Sequence, residues 1–186
     1  MEKPSVLLFS AGGLSMTTGI SPAPAEAPRF ICDVHLGTLA RRLRLLGFDT
    51  VYRNDLEDEE IVRIAVAESR IILTRDGGIL RDSRARSYRP DSIHPGTQIK
   101  AVVSAFALAG LATPFCRCIA CNGSLLPVDK GAVIDRVPLR SGRCMDRFWQ
   151  CRGCAKLYWQ GSHYARLRSW ANELVSADLP EGNVAD

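Results

Sequence analysis

The apolar positions of this chain change period in a regular order from residue 29 onward. "RFICD" is a short unbroken apolar run that predicts a strand, and Leu36, Leu39, Ala40, Leu43 and Leu46 then recur at helical spacing until Gly47 supplies a stop. "FDTVYR" predicts a second strand. Asp55 can cap a helix from about Leu56 to Ser69, and "RIILT" has the continuous apolar character of a third strand buried on both faces. The order β-α-β-α-β implies an α/β fold with parallel strands, right-handed crossovers and flanking helices. An irregular arginine-rich piece follows from Arg81 to Arg89, where Pro90 argues against a strand, and then a helix around Gln98 to Leu111 that stops near Pro114.

Beyond Pro114 the texture changes to short strand-like pieces, turn residues, cysteines and aromatics, closed by a helix over about Ala165 to Val175. That composition fits a small metal-held module. The chain therefore divides into a low-complexity tail (1–28), an α/β domain (29–113), the small module with its terminal helix (114–175) and a second loose tail (176–186). In the first tail the apolar run from Val6 to Phe9 is too short, and the stretch after it too rich in glycine, to be a signal peptide. No window approaches the roughly 18 apolar residues of a membrane helix. The expectation is a soluble, cytoplasmic protein with no membrane partner.

Composition sharpens this only at two points. The 186 residues, 46% hydrophobic, suffice for one ordinary core and a satellite module. Of 24 basic residues only Lys3, Lys100, Lys130 and Lys156 are not arginine, and arginine forks suit phosphate. Genome composition can produce the same bias. The seven cysteines include the pairs Cys118-x₂-Cys121 and Cys151-x₂-Cys154, a pattern for a metal site in a reducing cytosol rather than a disulfide scaffold.

Three carboxylates reach one edge of the predicted sheet by topology: Asp33 at the end of the first strand, Asp58 in the first turn of the second helix, and Asp76 just after the third strand. Open α/β sheets bind ligands at that edge. Such a cluster repels itself without a cation, and oxygen ligands suit Mg²⁺ or Mn²⁺, which can activate a water and neutralise charge on a phosphodiester. Each acid also has a plainer role available. Asp33 and Asp76 can be turn residues, Asp58 is favoured by the helix dipole, and Asp82 reads as a solvated charge between arginines. Arg41 and Arg44, off the leucine stripe, and Arg75, beside Asp76, are candidate substrate contacts. His35 reads as structural, and Cys32 is expected to pack in the core opposite Asp33.

Between the two CxxC pairs lie 29 residues. Closing that loop rather than one of about 18 residues costs only about 0.4 kcal/mol more, against roughly 10–16 kcal/mol from a structural Zn²⁺ site. Four thiolates leave no open coordination position, so the zinc is expected to be structural. Cys116 and Cys144 are left over. Arginines alternate with aromatics around the pairs, a single-strand-binding composition. Trp149 and Tyr158 are expected in the module's core, Trp159 and His163 on its surface as substrate contacts.

The stretches "FICDVHLGTLARRLRLLGFDT", "DEEIVRIAVAESRIILTRD", "RCIACNG" and "FWQCRGCAKLYWQGSHY" resemble the Mut-seven C-terminal ribonuclease family, a PIN-like nuclease domain followed by a zinc ribbon. The resemblance implies catalytic, metal-binding acids at Asp33, Asp58 and Asp76 and ribbon cysteines at Cys118, Cys121, Cys151 and Cys154. Relatives that carry a ubiquitin-like domain at the N-terminus differ from this chain, and His35 stands where relatives have arginine or a bulky apolar residue. The leading expectation is a divalent-metal-dependent ribonuclease whose zinc ribbon grips single-stranded RNA. The rival is a non-catalytic RNA-binding or ribosome-associated zinc-ribbon adaptor. Cleavage of DNA would use the same metal chemistry.

Overall fold

The computed structural model describes residues 26–176. The tails expected over 1–28 and 176–186 lie, but for their innermost residues, outside that range. Four parallel strands form one sheet in the order β2-β1-β3-β4: β1 (Phe30–Cys32), β2 (Thr50–Val51), β3 (Ile71–Leu73) and β4 (Ser87–Tyr88). Helices α1 (Gly37–Leu45) and α4 (Pro95–Ala105) cover one face, and α2 (Asp58–Glu68) and α3 (Gly77–Arg81) the other. Strand alternation sorts the core accordingly. Phe30, Cys32, Ile71 and Leu73 pack with Leu39, Leu43, Ile99 and Val102, whereas Ile31 and Ile72 pack with Ile61, Ala65 and Ile79. Each fully buried leucine contributes about 1.5–3 kcal/mol.

The predicted βαβαβ order is present, with local corrections. Asp55 does not cap α2: Glu57 occupies that position, and Asp55 pairs with Arg53 at 2.8 Å. The arginine-rich stretch holds the edge strand β4, which ends two residues before Pro90, so the missing N–H lies outside the ladder. Asp76, a candidate turn residue, instead caps the short helix α3 over Gly77–Arg81. Gly47 ends α1 as expected, with φ +97°, and a Cβ there would run into the Thr113 carbonyl.

A second, antiparallel sheet carries the cysteines in the order β5-β6-β7: β5 (Leu125–Val128), β6 (Phe148–Cys151) and β7 (Leu157–Trp159). Its small core is Val133, Val137 and Phe148, roofed by α5 (Leu139–Cys144) and the turn before it. The last helix, α6 (Tyr164–Ser176), follows the ribbon in sequence but buries Ala171 and Leu174 in the main core beside α4. No helix among the described residues is long and apolar enough to cross a membrane.

The ribbon docks on the lower edge of the main sheet, where the strands begin. Buried Arg44 donates from Nε to the Thr50 carbonyl at 2.8 Å and from Nη1 to the Ala120 and Ile119 carbonyls at 2.8 and 3.2 Å. Asn122 accepts the Thr50 amide at 3.0 Å and donates to Asp49 at 2.8 Å, which also receives Arg70 at 2.7 Å. The ribbon thus closes the exposed edge of β2. Arg44→Met should destabilise the chain by about 3 kcal/mol, since it strips the buried Thr50 carbonyl and the less buried Ile119 and Ala120 carbonyls of their donor. Arg44→Lys should not rescue it, lacking the fork. Urea unfolding checks both, and an unchanged midpoint for either variant would refute the latch.

Candidate functional site

The strand connections leave β1 and β3 toward opposite faces, because α1, which follows β1, covers one side and α3, which follows β3, the other. A crevice opens where neighbouring strands diverge in this way, at their C-terminal ends. Asp33 lies there, 3% exposed, its amide still in the ladder on the Leu73 carbonyl at 3.0 Å. Its carboxylate accepts three hydrogen bonds: the His35 amide on Oδ1 at 2.8 Å, and the Thr74 hydroxyl and Arg75 amide on Oδ2 at 2.5 and 3.1 Å. The Thr74 oxygen in turn accepts the Asp76 amide at 2.9 Å. One buried hydroxyl therefore ties the Asp33 carboxylate to the main chain at Asp76.

Asp76 is exposed and caps α3, its Oδ1 accepting the Gly78 and Ile79 amides at 2.6 and 3.2 Å. Asp58 is the first residue of α2 and is exposed. Thr74 joins the Asp33 carboxylate to the Asp76 main chain; Asp58 is not joined to either by a shared hydrogen-bond partner, and the three acids do not converge as the cysteines do. All three offer only oxygen, a donor set suited to Mg²⁺ or Mn²⁺. Thr74, absent from the sequence reading, had one signal: it ends an apolar strand two residues before an acid.

The substrate contacts divide. Arg41 is exposed on α1. Arg44 is a correction: it is 2% exposed and its donors are consumed by the ribbon latch, so it does not face a substrate. Arg75 reaches the Pro90 and Asp91 carbonyls at 3.2 and 2.8 Å and holds the loop after β4. His35 is exposed, and Cys32 is buried as expected, its thiol driven well above its usual range by burial and by Asp33.

The four cysteine sulfurs, Cys118, Cys121, Cys151 and Cys154, lie within 4.8 Å of one another. Sulfurs around a tetrahedral zinc with bonds of about 2.3 Å stand about 3.8 Å apart. Here Cys118–Cys154 is 3.6 Å and Cys121–Cys151 3.3 Å. Gly123 gives the cluster its room, because a Cβ there would sit 2.8 Å from the Cys151 sulfur. Asn122 and Ala155 take positive φ just after each second cysteine, turning the chain around the sulfurs. Burial opposes ionisation of Cys118, but the Tyr158 hydroxyl and the Cys121 and Ala120 amides outweigh it and hold its thiol down at about 6. Burial and the neighbouring sulfurs push Cys121 up to about 12. Four adjacent thiols cannot all ionise unaided, and a thiolate-preferring cation resolves that conflict. The residues fit Zn²⁺. Cys116 and Cys144 stand outside the cluster.

His163 is exposed as expected, whereas Trp159, rather than Trp149 or Tyr158, packs on the ribbon core. Trp159 packs against Phe148, ring centres 6.3 Å apart, at the edge of the ribbon core, while Trp149 and Tyr158 pair across β6 and β7 on the other face. With Phe148 turned inward, alternation sends Trp149 outward. Trp149, Tyr158, Trp159 and His163 all line a groove of about 950 Å³ between the ribbon and α6.

A family model described as Mut7-C RNAse domain matches residues 28–171. No curated protein and no solved structure matches the chain.

Proposed function

This chain belongs to the Mut7-C RNAse domain family, and from that premise we propose that it is a divalent-metal-dependent ribonuclease with its cleavage site at the β1–β3 crevice. The observation that carries the reading is the Thr74 hydroxyl, which fixes the Asp33 carboxylate and receives the Asp76 main-chain amide where the sheet opens, setting both residues at one strand edge. Asp33 and Asp76 would hold Mg²⁺ or Mn²⁺, with Asp58 reached through water, since Mg²⁺ keeps several waters and uses one or two carboxylates. When bound, such an ion supplies charge neutralisation on the phosphodiester and a nucleophile at neutral pH. Thr74 fixes the carboxylate of Asp33, so that the oxygen left for a cation does not rotate away. Exposed Arg41 can meet the RNA backbone, and the zinc-held ribbon, residues 114–159, anchors the strand.

The test is cleavage of labelled single-stranded RNA by zinc-loaded protein as Mg²⁺ or Mn²⁺ is raised through the millimolar range. Absence of cleavage at every concentration, with the fold intact, sinks the reading. Thr74→Val keeps the shape and removes both hydrogen bonds. It should lower kcat about 10–100-fold, the usual cost of losing a group that orients a metal ligand, and stability by about 1–3 kcal/mol. Thr74→Ser should restore most of kcat, and a Val variant with unchanged kcat would deny Thr74 its role.

One observation favours the adaptor reading. Residues 114–176 carry ten basic and four acidic side chains, against thirteen and twelve over 26–113, so the positive charge lies away from the acids. Salt-sensitive RNA binding without cleavage would decide for it.

A further inference from the structure

We propose that the groove between the ribbon and α6 is a base-stacking subsite for single-stranded RNA, placed far enough from the Asp33–Asp76 crevice that the protein measures a minimum substrate length. The position of the cut rests on the ribonuclease reading; the binding does not.

The separation follows from the path of α1. It leaves the acid end at Gly37, just beyond Asp33, and arrives eight residues later at Leu45, which lines the groove. Eight helical steps span about 12 Å. Stacked nucleotides advance about 3.4 Å each along a strand, so about four separate the crevice from the groove. Exposed Arg41 lies midway along that helix.

The groove has the chemistry for bases. Trp149 and Tyr158 are direct neighbours across the ladder and present one continuous aromatic face. Tyr158 is held by its hydroxyl, 3.0 Å from the Cys118 sulfur, so its ring is fixed by the metal cluster. Tyr164 stands across the groove, its ring centre 5.0 Å from that of Phe115, and exposed His163 and Arg140 flank the opening. Aromatic faces accept any base, and cations beside them track phosphates. The surplus of six positive charges over residues 114–176 favours this occupant over an apolar peptide.

The experiment measures binding of labelled oligoadenylates of 4 and 12 nucleotides to zinc-loaded full-length protein without added Mg²⁺ or Mn²⁺, followed by cleavage with Mn²⁺. The 12-mer should bind at least about tenfold more tightly than the 4-mer, the scale of losing one or two stacked bases. Trp149→Ala should remove most of that difference. Arg140→Glu, at an exposed position, should weaken 12-mer binding and reduce its salt slope by about one. Equal affinity for the two lengths, or 12-mer binding indifferent to both substitutions, overturns the proposal; a groove that takes apolar peptide gives the second result. Groove-sensitive binding with no cleavage sustains the subsite and removes the ribonuclease reading. Cleavage with groove-insensitive binding does the reverse.

Discussion

Cys118→Ser is expected to unfold the ribbon and to lower the stability of the α/β domain with it. A structural zinc site is worth roughly 10–16 kcal/mol, as large as the whole of a typical domain's margin of about 5–15 kcal/mol. The small core of Val133, Val137 and Phe148 has little with which to replace it. The damage should travel through one residue. When the loop carrying Ile119 and Ala120 loosens, Arg44 keeps its bond to Thr50 but loses the carbonyls that satisfy the rest of its buried guanidinium. Asn122 leaves Thr50 and Asp49 at the same time. Zinc content and urea unfolding, read together on wild type and variant, test the chain of cause. A variant that loses its zinc yet keeps the α/β unfolding midpoint would separate the two parts and refute the latch.

The parts of this architecture visible in the sequence are those written in local period. The alternation of β1, α1, β2, α2 and β3 was legible because each apolar stripe has the spacing of its own element, and the paired CxxC motifs announced the sulfur cluster that the fold assembles. Elements whose state depends on a distant partner were not. Gly77-Gly78 reads as a turn until Asp76 is seen accepting two amides and starting α3. Arg44 reads as surface because its partners, Ile119 and Ala120, lie some 75 residues away. Trp149 and Trp159 could not be sorted until the register placed Phe148 opposite Trp159. The candidate site follows the same division. Topology brought Asp33 and Asp76 to one edge, but the hydroxyl that links them depends on Thr74 and its register beside Asp33, which no sequence pattern specifies.

Asp76→Asn is the substitution on which the catalytic proposal turns, because it separates chemistry from folding. Asn caps a helix about as well as Asp, and one side-chain oxygen is enough for the Gly78 and Ile79 amides. The variant should therefore melt close to the wild-type temperature without divalent metal. Cleavage of RNA should fall at least about a thousandfold, equivalent to about 4 kcal/mol of transition-state stabilisation. Mn²⁺ should raise the melting temperature of the wild type, as any ligand that binds only the folded state does, and leave the variant unmoved. Asp33→Asn is the less useful partner: its Oδ2 accepts both the Thr74 hydroxyl and the Arg75 amide inside the fold. An amide nitrogen there would face two donors and cost about 1–3 kcal/mol in stability, so a loss of activity would have two causes. If purified Asp76→Asn still cleaves RNA in a Mn²⁺-dependent manner, the crevice is not where the reaction occurs, whatever the ribbon binds.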